Sequence, residues 1–224
     1  MLQFYFHPTP NPLKIALFLE EAELEYELVP VDTSKGEQHT PEYRAVNPNG
    51  KLPAISDNGT NVFDSTAILL YLAEKTGKFF GKEEKRAEVL SWLMFIATGV
   101  GPYSGQAVHF QYAAPEKIPY AINRYVFEAN RHFQILEEKL GSNEFIVGDS
   151  LTIVDIAAWG WCKFAHVPLG EAFTNDYPNI QRWFSAMNAR PAAVRACNVG
   201  SDVEFKTVSD EESQRALYPQ NFKD

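Results

Sequence analysis

The residue types between Tyr5 and Leu17 indicate a strand, a polar elbow and the start of a helix. Apolar residues alternate before the elbow, as in a short strand, and prolines keep the elbow itself out of a helix. Asn11 is a favourable N-cap and the proline after it suits the first helical position, so we expect a helix over about 12–22. A helix N-terminus that faces out from a strand end can bind an anion, and Thr9 and Asn11 add side-chain donors there. A capped turn that binds no ligand fits the same residues.

The elements that must position this elbow follow from the periodicity of the first third of the chain. The pattern predicts strands over about 2–6, 26–31, 52–56 and 61–63, and helices over about 12–22 and 65–75. The Asn58-Gly59 pair between the last two strands is typical of a hairpin turn. The order βαβ followed by ββα predicts a small mixed sheet with helices on its faces.

From about residue 84 the pattern changes to long helical periods. Helices are expected over about 84–99, 115–140, 152–164 and 179–187. We therefore predict an α/β domain over 1–78, an all-helical domain over 84–200 and a polar, loosely held tail over 201–224. Thr152 and Asp155 resemble a capping box, which is a stability signal. The four tryptophans are interpreted as core residues: Trp92, Trp159, Trp161 and Trp183.

Composition excludes several classes of function. The 224 residues carry a formal net charge of −9, which argues against general binding of nucleic acid or of an anionic membrane. The two cysteines form no C-x-x-C motif, and no apolar run is long enough to span a bilayer. No signal peptide is expected, since a strand pattern begins at Leu2, and we predict a cytoplasmic protein. The five histidines have no metal-ligand spacing, so no metal site is expected.

Three segments together resemble the glutathione transferase superfamily, over roughly residues 1–195. They are Asn47–Ile55, the strand-to-helix corner Phe63–Leu72, and the box Thr152–Asp155. Each is weak alone, but their order and spacing are specific. Further segments are similar to the bacterial Nu class and to the related fungal nitrogen-regulator group: Phe6–Asn11, Gly105–Phe110, Ala113–Pro115 and Ile118–Tyr125.

This resemblance implies a thioredoxin-like N-terminal domain, an all-helical C-terminal domain and a homodimer. It also implies that glutathione is a co-substrate, with one or two molecules per subunit, and that the reaction is reduction of small disulfides. Glutathione conjugation and peroxidase activity are alternatives that would use the same thiolate. A glutathione-binding regulatory protein without turnover is the alternative outside the enzymes, because fold does not fix function.

The resemblance assigns roles to the elbow. Thr9 is the expected donor to the glutathione thiolate, with Asn11 as a second donor or as the helix cap. The elbow has no cysteine, which argues against chemistry through a protein mixed disulfide. Lowering a thiol pKa by about two units needs roughly 2.7 kcal/mol, which one hydrogen bond to a charged group, at about 1.5–3 kcal/mol, and a helix N-terminus, at about 0.3–1 kcal/mol, can supply together.

The rest of the expected glutathione site also comes from the resemblance. Ser65 is expected to bind the γ-glutamyl carboxylate and Asp64 the ammonium, although family members usually have Glu or Gln in place of Asp64. Leu52 and Pro53 are expected to form a cis peptide bond that presents the Leu52 backbone to glutathione. Lys51 and Gln38 are candidates for the glycine carboxylate, with ordinary surface positions as the alternative.

The second-substrate pocket is expected in a segment interrupted by glycines and a proline. Its candidate wall residues are Tyr103, Gln106, His109 and Phe110, with core packing as the alternative. Arg124 and Arg131 lie seven residues apart on one helix face. Either arginine can bind a carboxylate of a second glutathione or form a salt bridge.

Overall fold

The computed structural model describes residues 1–208 and 210–222. The first domain begins with β1 (Leu2–Phe6), α1 (Pro10–Ala22) and β2 (Glu27–Pro30), and continues through a short helix α2 (Pro41–Val46), which the sequence analysis did not predict. It ends with β3 (Ala54–Asp57), β4 (Thr60–Phe63) and α3 (Ser65–Thr76).

The strands form one mixed sheet in the order β2-β1-β3-β4. Strand β1 pairs in parallel with β2 and antiparallel with β3, and β3 pairs antiparallel with β4. Asn58 and Gly59 both have positive φ between β3 and β4, so the predicted hairpin turn is confirmed. This is the predicted thioredoxin-like arrangement. The Leu52-Pro53 peptide bond is cis, as expected.

The remaining elements are helical. Helices α4 (Arg86–Phe95) and α5 (Gly101–Val108) are joined by a π-helical turn at Ile96–Val100, and a second π-helical turn, His109–Ala113, follows α5. The other helices are α6 (Pro119–Leu140), α7 (Ile153–Cys162), α8 (His166–Leu169), α9 (Ala172–Asn175), α10 (Pro178–Asn188), α11 (Pro191–Asn198) and α12 (Glu211–Leu217). No helix in residues 1–208 and 210–222 is long and apolar enough to cross a membrane.

One apolar core runs through both domains, because α1 packs on the sheet with one face and on α7 and α11 with another. The capping box of α7 is confirmed: Asp155 accepts hydrogen bonds from the Thr152 N–H at 3.0 Å and from Ile146 N–H at 2.9 Å. Trp159 and Trp183 are fully buried core residues, as predicted. The domain boundaries at 78 and 84 stay predictions.

The described part of the C-terminal tail packs against the first domain, although a loosely held tail was expected. The Phe205 ring lies 4.9 Å from the His7 ring, and the Lys206 N–H donates to Asp32 at 2.8 Å. Helix α12 follows and rests beside the turn Thr33–Lys35. Polar composition did not prevent docking, because Phe205 packs against Phe6 and His7 and Tyr218 lines a cavity wall. The tail prediction at Ser209, Lys223 and Asp224 lies outside the described residues.

Candidate active site

The elbow between β1 and α1 differs by two residues from its prediction. Helix α1 begins at Pro10, with Thr9 as the N-cap, whereas the sequence analysis placed the cap at Asn11. Pro10 fixes the helical φ two residues earlier than Pro12 would, and Thr9 has extended backbone angles. Asn11 therefore lies inside the first turn, and its side chain is available for contacts other than capping.

The Thr9 hydroxyl is weakly engaged in this structure. It donates to the His7 carbonyl at 3.5 Å, which is long for an O–H···O hydrogen bond. The hydroxyl can therefore turn to a ligand at little cost. Because Thr9 caps a 13-residue helix, an anion near it also meets the positive end of the helix dipole.

The corner between β4 and α3 comes next to the elbow. Asp64 caps α3 and accepts bonds from Thr66 N–H at 2.8 Å and Ala67 N–H at 3.2 Å, both through Oδ1. Its φ of 71° is unusual for a residue other than glycine, and such strain is concentrated at functional sites. Ser65, the first residue of α3, donates to Asn11 Oδ1 at 3.5 Å and so joins the corner to the elbow.

Lys14 completes this group and was not predicted. Its ammonium donates to Ser65 Oγ at 3.3 Å and lies 5.7 Å from the centre of the Trp161 ring. Burial lowers the pKa of Lys14 to about 7, and the charge of Asp64 opposes part of that effect. The available signal was spacing: Lys14 is three residues after Asn11, so both lie on the same face of α1.

Two adjoining cavities open at these residues. The polar cavity, of about 400 Å³, is lined by Asn11, Lys14, Lys51, Asp64, Ser65, Thr66, Ile96, Ala97, Gly101, Pro102, Gly105, Gln106 and Trp161. The aromatic cavity, of about 430 Å³, is lined by Thr9, Pro10, Lys51, Ser104, Gly105, Val108, Trp161, Phe164, Ala165, Val167, Pro168 and Tyr218. Lys51, Gly105 and Trp161 belong to both walls. Thr9 and Asn11, two residues apart, therefore face different cavities at their junction.

The structure brings together six of the predicted site residues on these walls: Thr9, Asn11, Lys51, Asp64, Ser65 and Gln106. Trp161 was interpreted as a core residue; it does pack against the core, but it is only partly buried and also lines both cavities. The signal was the spacing of the tryptophans on α7, since Trp159 and Trp161 cannot share one helix face.

Gln38 and the Leu52-Pro53 pair are not among the residues that line the two cavities, although Leu52 directly follows Lys51. The Gln38 amide donates to the Ala216 carbonyl of α12 at 3.1 Å, while its own Oε1 is buried without a hydrogen-bond partner. Gln38 is thus held under the C-terminal helix. Leu52 packs with Tyr5 and Val46 against a small separate cluster.

Four of the predicted second-substrate residues make contacts within the helical domain. The Tyr103 ring stacks on His132 at 5.0 Å, and the Phe110 ring stacks on Tyr125 at 5.2 Å. Arg124 and Arg131 both bind the Glu128 carboxylate, at 2.7 and 2.9 Å. For the two aromatic residues the structure favours core packing, and for the two arginines it favours salt bridges. Both alternatives were stated above, and they arise because α6 lies against α5 and supplies the partners.

His109 reaches the aromatic cavity indirectly. Its ring lies 5.0 Å from that of Tyr218, which lines the cavity. Tyr218 comes from the tail, far away in sequence, and the sequence analysis had no signal that would have placed it here.

A third cleft, of about 320 Å³, is lined by residues from the segments 81–88 and 139–150. Its lysines are paired: Lys82 with Asp149 at 3.0 Å, and Lys85 and Lys139 with Glu88, each at 2.8 Å. Because these charges neutralise one another, the cleft is a weaker candidate for an anionic ligand than the polar cavity. Among residues 1–208 and 210–222, no group of three acidic, histidine or cysteine residues could hold a metal ion.

Comparison with known proteins gives two family matches. The model described as glutathione S-transferase, N-terminal domain, matches residues 1–74, and the model described as glutathione S-transferase, C-terminal domain, matches residues 109–191. Together they cover most of the chain. The first match includes Thr9, Asn11, Lys14, Asp64 and Ser65.

Individual relatives agree with these matches. The chain is 43% identical over 210 residues to the Escherichia coli disulfide-bond oxidoreductase YfcG, covering 88% of this chain and 94% of that protein. A Burkholderia graminis glutathione transferase, solved with two glutathione molecules per subunit, is 39% identical with a TM-score of 0.81, covering 88% of this chain and 87% of that one. A Phanerochaete chrysosporium glutathione transferase in complex with oxidized glutathione is 37% identical with a TM-score of 0.83, covering 91% and 97%.

Proposed function

The chain belongs to the glutathione S-transferase family, and from that premise we propose that it binds glutathione at the polar cavity and uses the bound thiolate to reduce small disulfides. The observation that carries this proposal is the junction of the two cavities at the N-terminus of α1. There Thr9 faces the aromatic cavity and Asn11 faces the polar one. The names of relatives support the reaction class, since YfcG is a disulfide-bond oxidoreductase.

The polar cavity suits the γ-glutamyl end of glutathione. The backbone N–H of Ser65 and the ammonium of Lys14 offer donors for the carboxylate, and the second oxygen of the Asp64 carboxylate can accept from the glutathione ammonium. Lys51 lies on the same wall and can meet the glycine carboxylate. The sulfur of a peptide held in this way lies at the cavity junction, within reach of Thr9 and Asn11.

The reaction needs no protein cysteine. The bound thiolate attacks one sulfur of the substrate disulfide, which forms a glutathione mixed disulfide and releases the other sulfur as a thiolate that takes up a proton. A second glutathione thiolate then attacks the glutathione sulfur of the mixed disulfide, giving oxidized glutathione and the second substrate thiol. The protein supplies orientation and lowers the thiol pKa. The aromatic cavity, with Trp161, Phe164 and Tyr218, has room for the substrate or for the second glutathione.

Replacing Thr9 tests this proposal. We expect Thr9→Ala to raise the pKa of the bound glutathione thiol by about one to two units, because a hydrogen bond to a charged group contributes about 1.5–3 kcal/mol. Disulfide reduction at neutral pH should fall about tenfold or more, and the deficit should shrink above the pKa of the free thiol. The measurement is the pH dependence of kcat/KM with hydroxyethyl disulfide.

Thr9→Ser is the matched control, since it keeps the hydroxyl and should retain most of the activity. Equal activity of Thr9→Ala and the wild type would show that Thr9 is not the thiolate donor. If the protein turned over a chloronitrobenzene but no disulfide, the proposed reaction would be glutathione conjugation and not disulfide reduction. Glutathione binding without turnover of any disulfide, peroxide or electrophile would favour the regulatory alternative.

The Nu-class assignment, peroxidase activity, a cytoplasmic location and the homodimer remain parts of this proposal. Large apolar side chains that are exposed in the single chain support a second copy as partner: Phe63, Met94 and Phe127 are between 41% and 61% exposed. Size-exclusion chromatography with light scattering would give the mass of a dimer, and a monomer at working concentration would contradict it.

A further inference from the structure

Lys14 is a buried cation at the candidate site. Its side chain is 2% exposed, and its ammonium is bound by a neutral hydroxyl, that of Ser65, at 3.3 Å. Within the described residues no carboxylate forms an ion pair with it, and Asp64 acts on it only over a longer distance. An ammonium removed from water without a paired charge is costly. The position of this costly lysine on the wall of a ligand cavity therefore indicates a functional role.

The structure makes room for this side chain. Helix α7 crosses α1 at Gly160, where an added Cβ would lie 2.6 Å from Lys14 Cγ and 2.5 Å from the Pro10 carbonyl oxygen. The aliphatic stem of Lys14 fills the space that a side chain at residue 160 would occupy. Its ammonium is thereby directed past the Trp161 ring toward Ser65.

The chemistry of the three partners fixes the direction of their hydrogen bonds. An ammonium group has donors and no acceptor, so Ser65 Oγ must accept from Lys14. The single hydroxyl proton of Ser65 is then free to donate to Asn11 Oδ1; at 3.5 Å this contact is as long as that of the Thr9 hydroxyl, and the proposal requires it to shorten when glutathione binds. With its oxygen engaged, the Asn11 amide presents its NH₂ group away from Ser65, and Asn11 lines the polar cavity.

We propose that Lys14 is a positioning residue: its ammonium orients Ser65 and, through Ser65, turns the Asn11 amide N–H toward the thiolate of bound glutathione. This inference rests on the proposed function, because it concerns how the same site stabilises the thiolate. Lys14 acts through Asn11 and does not touch the sulfur.

The protonation of Lys14 therefore matters near neutral pH. The pKa of Lys14 is about 7 because of burial. The charged groups around it are Asp64 at the α3 corner and Lys51 across the polar cavity, while the wall Ile96–Gln106 has no acidic, basic or histidine residue. A bound γ-glutamyl carboxylate adds a negative charge and favours the ammonium. When Lys14 is neutral its nitrogen can accept from Ser65, and the direction of the hydrogen bonds is no longer fixed.

A double-mutant cycle of Lys14→Met and Asn11→Ala tests the proposal on the full-length protein. The readout is the pKa of the glutathione thiol in the complex, followed by thiolate absorbance during a pH titration. We expect Lys14→Met alone to raise that pKa by about one unit, which is roughly tenfold less thiolate at neutral pH. In the Asn11→Ala background the same change should have almost no effect, because the residue through which Lys14 acts is gone.

Ser65→Ala gives a second path to the same answer, since it interrupts the hydrogen bonds and leaves the ammonium in place. It should raise the thiol pKa in the same direction as Lys14→Met. If Lys14→Met raised the thiol pKa just as much in the Asn11→Ala background, Lys14 would act on the thiolate directly and the proposal would be overturned. An unchanged thiol pKa in the Lys14→Met single variant would overturn it as well. A wild-type complex with an unperturbed thiol pKa would instead refute the proposed function itself.

Discussion

In the part of the chain that the structure describes, no carboxylate forms an ion pair with the Lys14 ammonium, so that stability and ligand binding place opposite demands on this residue. The hydroxyl of Ser65 is a weak substitute for water around Lys14, so the empty site carries a desolvation cost. A site that binds an anionic peptide gains from the same charge, since the ligand supplies the missing partner. Residues of this kind are expected to lower stability and to serve function.

The first prediction at the residue scale concerns how the free energy of unfolding depends on pH. The unfolded chain binds the Lys14 proton up to its ordinary pKa of about 10.5, whereas the folded chain releases it above about 7. Between these values the unfolded state holds more protons, so the free energy of unfolding should rise with pH. Lys14→Met should remove this rise and be more stable than the wild type below pH 7, by about 5 kcal/mol at most.

Urea denaturation across this pH range, without glutathione, is the measurement. Lys51→Met is the matched control, because it removes a lysine at an exposed position on the same cavity and should leave the rise caused by Lys14 in place. A Lys14→Met protein that is less stable than the wild type at neutral pH would contradict the prediction. If the Lys14→Met protein is more stable than the wild type but stabilises the glutathione thiolate less well, Lys14 is a residue that serves function at the expense of stability.

Individual site residues could be predicted from the sequence where local geometry decides their position. Thr9, Asp64 and Ser65 flank a strand end or a helix start, and the first turn of a helix points its donors in a known direction. Lys14 was not predicted as a site residue, because a lysine within an apolar helix is normally assigned to the solvent-exposed face. Gln38 was interpreted either as a contact to the glycine carboxylate or as an ordinary surface residue, and its burial depends on a helix whose residue Ala216 lies 178 positions away.

At the scale of elements, the contact between α1 and α7 determines the shape of the site. It joins the two domains, and it places Trp161 between the cavities and Lys14 beneath them. The contact depends on Gly160, since the two helices approach too closely there for a side chain.

We therefore predict that Gly160→Ala destabilises the protein by about 1–3 kcal/mol, because the new methyl group overlaps the Pro10 carbonyl and the Lys14 stem. Gly105→Ala is the control on α5, where the nearest atom to the new Cβ is Trp161 Cη2 at 3.9 Å. There the substitution should raise stability by up to about 1 kcal/mol, as helix propensity favours alanine. The measurement is thermal unfolding of both variants. Equal melting temperatures for Gly160→Ala and Gly105→Ala would show that the close approach of the helices at Gly160 does not affect stability.

Elements with strong periodicity were predicted well. The strands, α3 and the long helix α6 each follow from residue types and local turn signals, and their ends shifted by only a few residues. The two π-helical turns around α5 were not predicted, since a wider turn leaves no separate periodic pattern in five residues. They matter to the site, because Ile96 and Ala97 of the first turn line the polar cavity.

At the scale of the whole molecule, the C-terminal tail connects the last helices back to the first domain. Phe205 covers Phe6 and His7, α12 covers Gln38, and Tyr218 closes one side of the aromatic cavity. Substrate size should therefore depend on how firmly the tail is docked.

Phe205→Ala tests this dependence. Loss of the ring should cost about 2 kcal/mol of tail docking, less than for a fully buried phenylalanine, because Phe205 is only half-buried. Hydrogen exchange in Glu211–Leu217 should then become faster, and kcat/KM for a bulky disulfide should rise relative to hydroxyethyl disulfide. Val208→Ala is the control in the same tail, since Val208 is 64% exposed. Unchanged exchange in Phe205→Ala would show that the tail does not depend on this ring.

The docked tail also has a consequence for how the chain is made. The hydrogen bond from Gln38 to Ala216 joins residues 178 positions apart, and that from Lys206 to Asp32 joins residues 174 apart. On the ribosome the first domain emerges early, but the surface around Phe6, His7 and Gln38 stays uncovered until the segment that carries Phe205 and Ala216 has also been translated. Contacts of such long sequence separation also form late, because the loops they close are large. The nascent protein thus acquires its sheet first and the closed wall of its aromatic cavity last.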